Sequence, residues 1–202
     1  MTIKKLFVFI SLICVVTVGV FIFTGCTPTE QKAIQNFGQD KAYMRTNSGV
    51  TIQLKDGKAV YNVGSDVTGD YLRISEYAVG KANNLSSRIN VYIANNTRTG
   101  FKFTMHSDEN GLNAINTYST DANGNITSST ISYNRHYMDS YSYSGKQHIA
   151  LHEMGHTLGL GDINDNRMEG NTVMFFSYSN GSKDITDYTK FDKYNITWKY
   201  GD

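Results

Sequence analysis

The 202-residue chain is nearly charge-balanced, with 19 Lys+Arg against 18 Asp+Glu, and it holds only two cysteines. That balance leaves no basic footprint for nucleic acid, and so few cysteines exclude a disulfide-stapled fold. Fourteen tyrosines, with abundant Ser, Thr and Asn, suit a polar, β-rich outer surface.

Lys4 and Lys5 precede a mostly apolar run from Leu6 to Phe23, the pattern of an export signal, and the small residues Thr24 and Gly25 leave room for a peptidase before Cys26. Phe23-Thr24-Gly25-Cys26 resembles the processing site of a bacterial lipoprotein. The resemblance implies that residues 1–25 are a signal peptide, that Cys26 carries lipid on its thiol and an acylated amino group, and that the protein sits on the outer face of the bacterial membrane, anchored or later released. The alternative is an uncleaved anchor, since a run of about 18 apolar residues nearly spans a bilayer. Either way the rest of the chain faces outward. Loss of Lys4 and Lys5 takes the formal charge from +1 to −1. It also leaves Cys26 as the sole cysteine, so no internal disulfide forms and no cysteine can plug a metal. Residues 26–49 are polar, hold the only proline at Pro28, and read as a tether, with a short helix at Ala33–Phe37 or a brief pro-segment as alternatives.

The folded domain is expected over residues 50–202. Val50–Leu54, Asp56-Gly57 and Ala59–Val63 pattern as a hairpin. Ser65 or Asp66 can cap a helix with an apolar stripe of Val67, Tyr71, Ile74, Tyr77, Ala78 and Ala82. A strand at Ile89–Ile93 follows, then a turn and a strand at Phe101–Met105. This strand, helix, strand order points to a right-handed parallel crossover. Residues 112–135 alternate around Asp121–Asn125 as a hairpin or sheet edge. The D-x-N-x-N spacing there lacks the Gly and distal Glu of a calcium loop and reads as a plain turn.

The chemistry concentrates in HEMGHTLGLGD, His152 to Asp162. His152 and His156 stand at i and i+4 on one helical face, so both rings reach one tetrahedral metal, with Glu153 beside them as a base. In a chain of this composition the H-E-x-x-H pattern arises by accident on the order of 0.003 times. The bland alternative is an amphipathic helix with solvated histidines. Gly159 or Gly161 can take the positive φ that ends a helix, and such a turn delivers Asp162 to the same metal. His148 lies on the same face but one turn too far, about 6 Å along the axis, and reads as a hydrogen-bonded helix residue. His106 and His136 receive the same reading, and Glu169 falls in no helical stretch.

A polar loop from Ile163 to Asn171 leads to Thr172-Val-Met-Phe-Phe176. Together, residues 152–162 and Met174 resemble the metzincin zinc peptidases, whose H-E-x-x-H-x-x-G-x-x-H/D helix and turn precede a methionine turn. Asp162 stands where most members carry His, which resembles the small secreted, Asp-liganded branch typified by snapalysin. The resemblance implies a zinc endopeptidase with His152, His156 and Asp162 on Zn2+, Glu153 as general base and acid, and Met174 beneath the site. Some branches place a tyrosine two residues after the methionine to steady the oxyanion. Phe176 stands there, leaving Tyr178 as a candidate against a plain rim tyrosine.

The implied fold is α+β: a mixed, mostly parallel twisted sheet of about 4–5 strands with an antiparallel edge strand, a central active-site helix, one earlier helix and a closing C-terminal helix. For the last, Asp184 or Asp187 is the expected cap, with a stripe of Tyr188, Phe191, Tyr194 and Trp198 and with Ile196 to one side. Two imidazoles and a carboxylate leave a fourth position for water, whose pKa falls to roughly 7 on catalytic zinc. The substrate is expected to be a protein or peptide that adds to an edge strand, and the enzyme a monomer without nucleic-acid partners. The alternatives are a surface adhesion lipoprotein with a closed, structural zinc site, and a zinc hydrolase acting on cell-wall material.

Overall fold

The computed structural model describes residues 42–95, 97–179 and 181–201. The expected export signal, Cys26 and residues 26–41 of the expected tether lie outside them. The elements are β1 (Gln53–Leu54), β2 (Lys58–Val63), α1 (Gly69–Asn83), β3 (Asn90–Ile93), β4 (Phe101–His106), β5 (Ala114–Thr120), β6 (Asn125–Asn134), α2 (Arg135–Met138), α3 (Tyr143–Thr157) and α4 (Lys190–Tyr200). The strands form one six-stranded sheet in the order β1-β6-β4-β2-β3, with β5 paired to β6. All ladders are parallel except β5 with β6. The expected α+β class, mostly parallel sheet and antiparallel edge are therefore all present, with a sixth strand in the two-residue β1.

β2, α1 and β3 form the expected parallel unit, because the buried face of α1, Tyr71, Ile74, Ala78 and Ala82, needs a sheet to cover it. The helix starts after Thr68, later than the expected cap, since the Asp66 carboxylate accepts the Met105 N–H at 3.2 Å instead. The expected hairpin over residues 50–63 does not form. Asp56 and Gly57 do bend the chain, with φ of 52° and 67°. Yet β1 runs parallel to β6 while β2 is inserted between β3 and β4. Parallel partners on both edges set β2 inside the sheet and bury Ala59 and Tyr61 on one face, which a two-stranded hairpin cannot do. β5 and β6 do form a hairpin, and Asp121 closes its turn by accepting the Asn123 and Asn125 N–H groups, both at 2.9 Å.

α1 and α3 pack against each other, and α3 rests on β5 and β6. A buried polar knot holds α3 to the sheet. The Tyr61 hydroxyl lies 2.6 Å from Thr157 Oγ1 and 3.0 Å from Ser129 Oγ, and the Asn116 amide donates to the Glu153 carbonyl at 2.8 Å.

α4 begins at Thr189, whose side chain forms a capping box with Asp192, so neither Asp184 nor Asp187 is the cap. This start puts Phe191, Asn195, Ile196 and Tyr200 inward. Ile196 is fully buried, while Trp198, expected in the stripe, is 58% exposed and stacks on Tyr43. Residues 42–45 pack on the body: Ala42 and Tyr43 are buried, Met44 N–H donates to the Gly159 carbonyl, and Gly161 N–H donates to that of Ala42. Among the described residues no helix is long and apolar enough to cross a membrane.

Candidate metal centre

Ser142 caps α3, its hydroxyl accepting the Gly145 N–H at 3.0 Å. Buried Ile149, Ala150, Leu151, Met154 and Leu158 fix the helix on the core and turn His152 and His156 to the opposite side. Gly159 stops it at φ 85°, in a place where a Cβ would run into the Ile52 carbonyl. Only glycine meets both demands. The reversal brings Asp162 back over the histidines: its Oδ1 lies 3.1 Å from His152 Nε2 and 3.5 Å from His156 Nε2. One ligand atom from each of the three residues fits within a 4.8 Å group, so this set could hold a metal ion.

The surroundings fit a cation. His152 Nδ1 lies 2.8 Å from the Val173 carbonyl and His156 Nδ1 lies 2.9 Å from that of Leu160. A carbonyl only accepts, so each Nδ1 carries the proton and each Nε2 presents a lone pair to the Asp162 carboxylate. Two lone pairs and an anion repel one another unless a cation or a proton lies between them. Tetrahedral zinc with bonds of about 2.05 Å separates its donors by roughly 3.3 Å, close to the observed spacing. In the metal-free protein the alternative is a proton. Burial disfavours the His152 imidazolium, but the Asp162 hydrogen bond and the charges of Glu153 and Asp162 outweigh it and raise the pKa to about 9. Burial likewise raises Asp162, yet hydrogen bonds from both imidazoles hold it well below the usual carboxylate range.

Beneath the rings runs the segment Thr172–Met174. Met174 is buried, with its sulfur against Gly155, where a Cβ would collide with it. Asp192, itself buried, accepts from Thr172 Oγ1 at 2.5 Å and Val173 N at 3.1 Å, so the start of α4 holds the carbonyl that orients His152. Sequence reading passed over Asp192, although Thr189-x-x-Asp192 carries the capping-box signature.

Glu153 is buried beside the histidines and lines the same groove. His148 stays outside the metal group. Its Nδ1 accepts the Ile185 N–H at 3.0 Å and its ring stacks on Tyr178 at 4.4 Å. Burial and the neighbouring His152 push its pKa down to about 4. Tyr178 lines the groove, and its hydroxyl donates to Asp184. His106 bonds Ser132 and His136 packs on Tyr137.

The three donors lie in a groove of about 490 Å3, open to solvent. One bank is β5, which among the described residues pairs only with β6. Asn134 N–H donates to Asn113 O, and alternation along an antiparallel ladder then turns the backbone groups of Ala114, Asn116 and Tyr118 away from β6, toward the groove.

No family model matches the chain, and no curated protein matches it. In structure it is similar to the GM1-bound form of the ECX AB5 holotoxin, with a TM-score of 0.55 at 13% identity, over 86% of this chain and 90% of that one. It also aligns with myroilysin, with a TM-score of 0.48 at 12% identity, over 73% of this chain and 94% of that one. The first likeness concerns the fold. What the site is built to do rests on its own residues.

Proposed function

We propose that the protein is a zinc-dependent endopeptidase of the metzincin type, of the Asp-liganded branch, exported and held at the membrane through Cys26. The observation that carries the enzymatic part is the meeting of His152 Nε2, His156 Nε2 and Asp162 Oδ1 within 4.8 Å, in an open groove that Glu153 also lines. A closed structural site needs a fourth protein ligand. Among the described residues the group has three, which favours a catalytic centre over the adhesion reading. The free edge of β5 beside the centre favours an extended polypeptide over cell-wall material. Export and lipidation rest on the residue pattern of positions 4–26.

Zinc, when bound, would supply Lewis acidity toward the scissile carbonyl and toward water. The chain supplies the rest. The β5 edge aligns the peptide backbone, and the Val173 and Leu160 carbonyls hold each ring by its Nδ1 and aim each Nε2 at the ion position. Glu153 takes the proton of the attacking water and delivers it to the leaving amine.

The test is zinc analysis with product mapping on an unfolded protein substrate, for the wild type and Glu153→Gln. The expected result is equal zinc in both and about a 10³-fold fall in cleavage. Undiminished cleavage by Glu153→Gln overturns the proposal.

A further inference from the structure

Two of the three donors are backed from outside by residues 42–44. Asp162 follows Gly159-Leu160-Gly161. Two glycines in three residues leave a turn free to sample many backbone conformations, so a fixed Asp162 needs support from beyond the turn itself. After the ligand, Ile163 N–H donates to the Met174 carbonyl at 2.7 Å. Before it, residues 42–44 lie along the turn as a strap. Tyr43 and Leu160 are antiparallel partners, Met44 N–H donates to the Gly159 carbonyl at 3.1 Å, and Gly161 N–H donates to the Ala42 carbonyl at 3.0 Å. Leu160 is also the residue whose carbonyl holds His156 Nδ1 at 2.9 Å. The strap thus backs His156 through Leu160 and Asp162 through Gly161.

Tyr43 pins the strap. It is buried, its hydroxyl donates to the Asn195 carbonyl at 2.8 Å, and its ring stacks on Trp198 at 5.6 Å with Lys199 Nζ 4.9 Å from the centroid. Lys199 also donates to the carbonyls of Ile52 and Gly159, which ties α4 to the same turn. Past the strap the chain reverses at Thr46–Gly49, where Gly49 has φ 83°, and returns alongside it. Arg45 pairs with Thr51, and Ile52 N–H donates to the Met44 carbonyl at 2.9 Å. Met44, bonded through both backbone groups, lines the groove of the metal group.

Resting on the zinc reading proposed above, we infer that residues 42–44 are a positioning strap for the metal centre, with Tyr43 as its pin. Strap and ion act on the same turn, the strap from outside and the ion from within. Each therefore tightens the other, by the reciprocity that any coupled pair of binding events obeys. Displacing the strap unloads the centre without altering a ligand. Residues that read as tether by composition set the affinity of the site.

The experiment measures zinc affinity of the full-length chain by chelator competition, and amide hydrogen exchange of the metal-free and zinc-loaded forms. Tyr43→Ala is expected to lower zinc affinity by roughly 10- to 100-fold, the range for lost outer support of a ligand. Tyr43→Phe, which keeps the ring and loses only the hydroxyl bond, should fall between it and wild type. Val91→Ala, a core truncation in β3, controls for stability and should leave zinc affinity within about twofold. Zinc should slow exchange of the Met44 and Gly161 N–H groups by at least about tenfold, and leave that of Asn84, at the end of α1, nearly unchanged. If Tyr43→Ala does not fold, Lys199→Met frees the Gly159 and Ile52 carbonyls, with the same expected fall in affinity. Wild-type affinity in the folded variant, an equal loss in Val91→Ala, or exchange at Met44 that ignores zinc overturns the inference and leaves the zinc reading standing. A wild type that binds no zinc overturns both.

Discussion

The two sides of the metal group are built in contrasting ways. On the helix side His152 and His156 are 16% and 13% exposed, each ring is fixed by a carbonyl, and the support continues through Val173 and Asp192 into α4. On the other side Asp162 is 58% exposed and arrives on a glycine turn. The difference separates two tasks. The buried side sets geometry, since packed rings cannot drift, and the open side would leave room for a substrate and for exchange of an ion under the proposed function.

The largest stability effect should come from Asp192→Ala, which strands the N–H groups of Val173 and Thr189 and the hydroxyl proton of Thr172. A loss of about 4 kcal/mol in denaturant unfolding is expected, together with zinc affinity lowered by about 10- to 100-fold in chelator competition. Retained zinc affinity in a folded Asp192→Asn protein would show that α4 does not position the site.

Next is pH. His148 has a folded pKa of about 4, below the value of roughly 6.5 in an unfolded chain. The unfolded state therefore binds the proton first. The contribution of His148 to stability is complete above about pH 6.5 and drains away as pH falls to about 4, by about 3 kcal/mol in all. Thermal melts of the wild type should show this slope, and His148→Gln should flatten it.

Gly155→Ala forces a methyl against the buried Met174 sulfur. The clash should exceed the gain in helix propensity and cost about 1–2 kcal/mol. Met174→Leu in the same protein should recover part of it, read by a double-mutant cycle.

Smallest on stability is Asp162→Ala. Its exposed carboxylate should leave metal-free unfolding within about 1 kcal/mol of wild type, while zinc affinity falls at least tenfold. A large loss of metal-free stability would erase the contrast between the two sides.

Local pattern made part of this legible. The i, i+4 histidines with the intervening acid, the stopping glycine and the downstream methionine are short-range features, and the helix and turn reproduce them directly. The β5–β6 hairpin was readable because Asp121 closes its own turn. Val50–Val63 misled for the opposite reason: its Asp-Gly turn favours a hairpin, but β2 takes parallel partners on both edges, burying Ala59 and Tyr61, while β1 pairs with β6. Trp198 misled because aromatic spacing does not say where a helix starts, and Thr189 rotates the expected stripe by setting that start. The ring pair of His148 and Tyr178 left no sequence signal, since the residues lie thirty positions apart and meet only across α3.

By itself the sequence determined the candidate ligand types and their spacing, because helical geometry fixes the distance between i and i+4. It also determined that a glycine had to break the helix before Asp162. Only the tertiary structure decided that Asp162 meets both imidazoles, that Val173 and Leu160 select the ring tautomers, that Asp192 underlies them, and that the rings of His148 and Tyr178 stack. The Val173, Asp192 and Tyr178 contacts join segments distant in the chain, and their partners are chosen by the burial of the whole core.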